Sequence, residues 1–308
     1  MSFNGFVINC GQVPMILKAR VGVGIIGKEG TLAKMSSDYA IPRFYMLKCL
    51  LAVHGRYAFK RSAAFIQYSF YKNNVVAFVQ SIFFFYNLFS GQALFDTYVI
   101  TFQNYLFTLL NPFVFGLFEK DIDEEYLEDA EYGPLLYKNL KKEHIFNWYT
   151  FIKWIGGSLI HGIIIFFFCM YGTGWTMLTN GQGDGLWGMC SLTYTCIFLV
   201  ITLKCYIEME HFTIMHHLSM ILSFIFFIIF VVVYSSIPSN MTQVWFSMMQ
   251  SVRFWFIVLL CVVTCLAIDV AFTAWKNMVN PDYYARLKMQ GTRPKKKKQK
   301  HHNEISNK

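Results

Sequence analysis

The sequence predicts an all-α polytopic membrane protein with six transmembrane helices, preceded by a short α/β segment. Three observations predict it: bulk composition, six long apolar runs, and a charge that alternates between the connecting loops. Of 308 residues, 55% are hydrophobic, 19% aromatic and 15% charged. Mean hydropathy is +0.39. A soluble domain is about 45–50% apolar and about 25% charged, so the chain departs towards a lipid environment. The first apolar stretches after Met1 are short and broken by glycines and basic residues, which is not a secretory signal pattern. Membrane targeting then falls to the internal spans.

A helix that crosses a bilayer needs about 20 mostly apolar residues. The runs that qualify are 62–86, 98–118, 149–171, 187–207, 212–237 and 249–274. Backbone polar groups cannot stay unpaired in lipid, so each run is read as a helix. Stretches such as "MILSFIFFIIFVVVY" are apolar all round, unlike the surface helices of soluble proteins. The loops 87–97, 172–186 and 235–245 carry no Lys or Arg. The alternate segments do. The N-terminal part has Lys18, Arg20, Lys28, Lys34, Arg43, Lys48, Arg56, Lys60 and Arg61. The 119–148 loop has Lys120, Lys138, Lys141 and Lys142, and the tail reads "RPKKKKQK". By the positive-inside rule both termini are cytosolic, and an even number of spans agrees. The predicted organisation is a divergent N-terminus (1–12), an α/β segment (13–45), a cytosolic linker or helix (46–61), the membrane domain (62–280) and a basic cytosolic tail (281–308).

The formal net charge of +9 is therefore gathered on one side of the membrane. Lys295, Lys296, Lys297 and Lys298 follow the last span. Such a cluster attracts anionic lipid at about 1 kcal/mol per residue; a solvated tail is the other reading. Nucleic acid is not the expected partner. Cys169, Cys190, Cys196, Cys261 and Cys265 lie in or beside spans, where cysteine behaves as a small hydrophobe. No metal site is expected, because His161, His216 and His217 belong to no recognisable ligand constellation.

Shorter signals fill in the rest. "GVGIIG" (Gly22 to Gly27) matches G-x-G-x-x-G, but a dinucleotide domain will not fit before the membrane. The sequon at Asn240 falls in a predicted exoplasmic loop, close to the bilayer. Ahead of the membrane, "VGVGI" reads as a buried strand, "KEGTLAKMSS" as a helix of about two turns, and "DYAI" as a second short strand. Some 40 residues are too few for an independent α/β domain, so the segment reads as the end of a larger one. Lys72, Asn73 and Asn74 interrupt the first span. An ionisable residue in a span costs about 2.5–3.5 kcal/mol on insertion scales and usually faces a bundle interior or a wet cavity. Lys72 is either part of a polar pathway or a structural tie to another helix.

The residues from "VPMILKARVGVGIIGKEGTLAKMSS" to "FIQYSFYKNN" resemble the join between phosphorylation domain and membrane in type-IV P-type ATPases, the phospholipid flippases. "LFSGQALFD", "FQNYLFTLLNPFVFGLFEKD", "YGPLLYKNLKKEHIFNWYTF" and "AIDVAFTAWK" resemble later parts of that family, in family order. The resemblance covers residues 13 to about 280. It makes the six spans the family's helices five to ten, and the α/β segment a remnant of its phosphorylation domain. It implies the membrane half of an ATP-driven phospholipid translocase that moves lipid towards the cytosolic leaflet. Mg²⁺ and ATP are the cofactors of the full-length family. A two-span accessory β subunit is an implied partner, and the plasma membrane or secretory and endosomal membranes an implied location. Lys72 and Asn73 match the family's lipid pathway in helix five. Asn104, Phe107 and Thr108 match its "YNxxFT" pattern in helix six. Asn104 and Thr108, four apart, would share a helix face, and Pro112 one turn on is expected to kink the helix.

The departures are as specific. Where the family has Gly-Asp-Gly-Ala-Asn-Asp, this chain has Val7, Ile8, Asn9, Cys10, Gly11 and Gln12. Ile8 and Gln12 replace the two carboxylates that hold Mg²⁺, a hard ion that wants carboxylate oxygen. The phosphorylated aspartate motif, the nucleotide-binding and actuator domains, and helices one to four have no counterpart in this sequence. No catalytic residue is assigned, and the chain alone is expected to bind neither ATP nor Mg²⁺. It is either an incomplete product or a truncated, non-catalytic membrane scaffold or regulatory partner of a flippase.

Overall fold

The computed structural model describes residues 6–9, 13–26, 31–129, 132–142, 146–173, 185–237 and 242–279. The strands are β1 (Phe6–Asn9), β2 (Val21–Ile25) and β3 (Tyr39–Ile41). The helices are α1 (Val13–Lys18), α2 (Thr31–Ser36), α3 (Met46–Cys49), α4 (Gly55–Tyr86), α5 (Thr97–Phe102), α6 (Leu110–Phe118) and α7 (Glu124–Glu128). They continue with α8 (Tyr132–Lys142), α9 (Trp148–Thr173), α10 (Gly185–Ile207), α11 (Ile214–Ser236), α12 (Val244–Met249) and α13 (Val252–Val279). These elements fall into two compact units.

The first unit takes in residues 1–58 and 122–141. Its three strands are parallel in the order β1-β2-β3, with Phe6 opposite Val21 and Val23 opposite Tyr39. Parallel neighbours need a crossover, which α1 and α2 supply. The two strands and the helix read from the sequence are all present; β1, in the stretch read as divergent, was not expected. Gly22 is needed for closeness, since a Cβ there would lie 2.6 Å from Cγ2 of Ile16. Gly22 and Gly24 both sit inside β2, not at the strand-to-helix turn that a nucleotide fingerprint requires. The expected 119–148 loop is itself partly helical. Arg56 donates to the carbonyl of Leu136 at 3.2 Å, Lys48 to that of Glu128 at 2.9 Å, and the Tyr57 hydroxyl to that of Ile122. Gly133 lets α8 cross close to α7, because a Cβ there would meet the Leu127 carbonyl oxygen at 2.6 Å.

The second unit is helical and comprises residues 59–121 and 142–290. Among the described residues four helices are long and apolar enough to cross a membrane: α9, α10, α11 and α13. They overlap four of the six expected spans. α10 is the central one, its apolar stretch mostly buried where that of α13 is mostly exposed. Such a helix can be buried on every side because its residues, Lys204 apart, are mostly apolar or small on every side. The expected span 62–86 lies within α4, a helix of 32 residues. At about 1.5 Å per residue it is long enough, but Gln67, Lys72, Asn73, Asn74 and Gln80 keep it less apolar than the other four.

The expected helix 98–118 is a broken one. α5 passes into a π-helical turn at Gln103–Phe107, and Thr108 leaves helical geometry at φ −117° and ψ 4°. α6 restarts two residues later. Pro112 stands in the first turn of α6, where a missing N–H is tolerated, so the break precedes it. The expected exoplasmic loop 235–245 also differs. Its end enters α12, whose Trp245 is fully buried against Tyr194 and Phe227.

Just past α6, Glu119 ties the connection between α10 and α11. One carboxylate oxygen accepts the N–H groups of Glu210 (2.7 Å) and His211 (2.9 Å), and Nε2 of His216 lies 3.7 Å from the other. Its carbonyl accepts from Arg61 Nε at 2.5 Å. Burial pushes the Glu119 carboxyl up from its ordinary value, while the two N–H donors and the charges of His211 and Arg61 pull it down. The upward effect wins. The folded state therefore binds protons that the unfolded state releases. Stability rises as pH falls through the raised value and levels off below the ordinary one. Glu119→Gln should flatten that slope in thermal melts of the detergent-solubilised chain. Glu119→Ala strands two N–H donors and should cost about 1–3 kcal/mol, read as a lower melting temperature at neutral pH.

Candidate functional site

The site is built around Lys72. α4 carries it into the second unit, where the residue is 6% exposed. Its ammonium donates to the Thr108 hydroxyl at 3.2 Å. That hydroxyl donates onward to the Gln103 carbonyl at 2.6 Å. The π-helical turn makes this geometry. In an α-helix the Gln103 carbonyl would take the N–H of Phe107; here it takes the Thr108 N–H at 3.1 Å and the Thr108 hydroxyl as well. The break thus presents an oxygen at the point where the lysine arrives.

The residues singled out from the sequence divide. Lys72 and Thr108 are in direct contact. Asn104 is near in sequence, and its side-chain oxygen is buried without a hydrogen-bond partner among the described residues. The four-residue spacing that would stack Asn104 on Thr108 assumes an α-helix and does not apply across a π turn. Asn73 is exposed, one helical step away from the lysine's direction. Phe107 is fully buried and packs edge-on against Tyr194, Phe198, Phe227 and Phe230, so it anchors the broken helix in the core. Asn111, beside Pro112, is buried and accepts from the Ser223 hydroxyl at 3.3 Å. Gln12, Asn240, Lys295, Lys296, Lys297 and Lys298 lie outside the described residues. Ile8 stands in β1. Its side chain offers no oxygen, so the position does not fit Mg²⁺.

A second buried lysine makes the contrast. Lys204 on α10 is 7% exposed and meets Asp269 of α13 at 2.9 Å and Glu208 at 3.1 Å. Its ammonium also lies 5.0 Å from the Trp154 ring centre and 5.5 Å from that of Tyr71. The other oxygen of Asp269 lies 3.6 Å from Nε2 of His161, and Nδ1 of His161 is 2.6 Å from the Tyr71 hydroxyl. Four helices meet in this cluster. Sequence reading missed it, although Lys204 and Asp269 are opposite charges in two predicted spans. Lys204 is thus neutralised twice over. Lys72 has no carboxylate within ion-pair distance among the described residues.

Removing one partner of a buried ion pair leaves a bare charge and costs about 3–5 kcal/mol, more than replacing both by apolar groups of similar size. Lys204→Met should therefore lower the melting temperature of the chain in nanodiscs. Adding Asp269→Leu should recover part of that loss. Equal or greater destabilisation by the double variant would show that the pair is not what holds α10 to α13.

Comparison with known proteins bears on all of this. A family model described as "Phospholipid-translocating P-type ATPase C-terminal" matches residues 34–282. The chain is 34% identical over 268 residues to mouse "Phospholipid-transporting ATPase IH", an alignment covering 84% of this chain and 22% of that protein. It is 32% identical over 281 residues to "Phospholipid-transporting ATPase DRS2" of Saccharomyces cerevisiae, covering 89% and 20%. With "Probable phospholipid-transporting ATPase 4" of Arabidopsis thaliana it shares 33% identity over 236 residues, covering 75% and 19%. The chain spans about a fifth of the length of these relatives. With the family model matched across the membrane helices and the site just described, the chain belongs to the phospholipid-translocating P-type ATPases, as part of their C-terminal region.

Proposed function

We propose that this chain forms the C-terminal membrane part of an ATP-driven phospholipid translocase that carries lipid towards the cytosolic leaflet. In this reading it crosses the membrane six times with both termini cytosolic. α4 is the first crossing, and the broken segment 97–118 the second. Lys72, Thr108 and Asn104 line the lipid path, and Lys72 attracts the phosphate. The carrying observation is that the Lys72 ammonium is buried, bonded to a hydroxyl, and without a carboxylate among the described residues. A phosphate is the counter-charge that such an ammonium suits. ATP hydrolysis and Mg²⁺ binding belong, in this reading, to regions of the relatives that this chain does not span. A two-span accessory β subunit is a partner consistent with it.

A second reading has one observation in its favour. The chain has Ile8 where the family resemblance implies an Mg²⁺-holding carboxylate, which suits a non-catalytic scaffold or regulatory partner of a flippase. Lipid contact at Lys72 is common to both readings.

The test uses phosphatidic acid with a photoactivatable acyl chain, diluted in phosphatidylcholine nanodiscs that hold the chain. Label should appear in the peptide 97–118. Lys72→Ala should lower it about tenfold, the effect of losing one charge-assisted hydrogen bond of about 1.5 kcal/mol. Undiminished labelling of a folded Lys72→Ala variant would remove Lys72 from the path. Acceptor sequons inserted in the 87–97 loop should be glycosylated in microsomes, and sequons in 119–148 should not; the opposite pattern would overturn the topology.

A further inference from the structure

α4 is gripped beside Lys72 by two tyrosine hydroxyls one turn apart. Tyr68 donates to the Ile201 carbonyl of α10 at 3.0 Å, and Tyr71 is bonded to His161 of α9 at 2.6 Å. Tyr68, Tyr71, Val75 and Val79 are all buried and follow helical spacing, so they mark one face. Close packing sets how near that face comes to α9: a Cβ on Gly162 would lie 3.0 Å from Cβ of Phe78 and 3.6 Å from the Val75 carbonyl oxygen. Apolar packing is non-directional. Hydrogen bonds are directional, and these two fix the rotation.

Tyr71 immediately precedes Lys72, so their side chains leave α4 about 100° apart. Fixing one aims the other. Tyr71 is itself fixed twice, at its hydroxyl by His161 and at its ring by the Lys204 ammonium. With Nε2 of His161 facing Asp269 at 3.6 Å, the ring proton belongs on Nε2. Nδ1 is then free to accept the Tyr71 hydroxyl. Lys204 holds Asp269 in place at 2.9 Å. We propose that Tyr71, backed by His161, Asp269 and Lys204, is a positioning cluster that sets the rotation of α4 and so seats the Lys72 ammonium against Thr108. The proposal deepens the lipid-path reading above and rests on it for its consequence in lipid binding.

Two measurements on the 308-residue chain in phosphatidylcholine nanodiscs test it. The first reads geometry. Lys72→Cys and Thr108→Cys are bridged by a short bifunctional thiol reagent, and the 72–108 peptide cross-link is quantified by mass spectrometry. Tyr71→Phe removes one oxygen and keeps the ring, and should lower the yield about fivefold, the factor one net hydrogen bond is worth. His161→Leu should do the same, and His161→Gln, which keeps an acceptor, should restore it. The second reads consequence, with the phosphatidic acid probe. Tyr71→Phe should lower labelling when Lys72 is present and change nothing when Lys72 is Ala. A purely structural role would lower both equally, and that result overturns the proposal, as does a cross-link yield that Tyr71→Phe leaves unchanged. If Lys72→Ala does not alter labelling while Tyr71→Phe still lowers the cross-link, the clamp stands and the lipid-path reading falls.

Discussion

The ammonium of Lys204 lies inside a helix bundle, and α10 can be the central helix because Asp269 meets that ammonium at 2.9 Å. An unpaired charge at such a place costs several kcal/mol. The pair forms only at one combination of rotation and register between α10 and α13. Once it forms, the remaining oxygen of Asp269 faces His161 on α9, and the Lys204 charge faces the rings of Trp154 and Tyr71. Orientation therefore passes from one ion pair to four helices. The apolar side chains around it, among them the buried cysteines of α9, α10 and α13, then pack into space whose shape is already defined. Apolar contact alone would leave many rotations nearly equal in energy, because lipid tails are as apolar as the helix faces.

The break between α5 and α6 follows from the same arrangement. A lysine aimed across the bundle needs an oxygen, and the carbonyls of an unbroken helix are already occupied. Two sequence features open the helix. The π-helical turn at Gln103–Phe107 shifts the hydrogen-bond ladder by one residue, leaving Thr108 as its last donor. Pro112 has no N–H to return to the Thr108 carbonyl four residues earlier. Thr108 then uses its hydroxyl in both directions, donating to Gln103 and accepting from Lys72. The neighbouring Phe107 turns the other way into an aromatic cluster, which keeps the opened segment from fraying.

How far the sequence speaks depends on the range of the interaction. The spans 149–171, 187–207, 212–237 and 249–274 are legible because a long apolar run has one outcome in lipid, and α9, α10, α11 and α13 lie on them within a few residues. The strands at "VGVGI" and "DYAI" are legible for a similar local reason. The broken helix was half legible. Pro112 announced a disturbance, but its effect falls where the missing bond would have ended, four residues upstream. Asn104 and Thr108 share a face only under the α period, which the π-helical turn interrupts. Asn73 stands beside Lys72 in the family resemblance, and adjacent side chains on a helix diverge by about 100°, which leaves Asn73 exposed where Lys72 is buried. The Lys204–Asp269 pair had both halves in view. What the sequence lacks is which spans touch, and that is decided by packing between segments far apart in the chain.

β1 shows how little a parallel ladder asks of its side chains. The parallel ladder from Phe6–Asn9 to Val21–Gly24 draws on backbone N–H and C=O groups, and any residue that tolerates extended geometry can hold it. Ile8 does so well, since β-branched residues suit strands. The membrane helices are different. Lys204 and Asp269 are bound to each other by the cost of burial, and changing either disturbs the bundle. Lys72 stands between these cases. It is buried like Lys204, but its partner among the described residues is a hydroxyl, which cannot neutralise it. That asymmetry between two buried lysines in one helical unit is the physical reason for looking to Lys72, and not to Lys204, for contact with a phosphate.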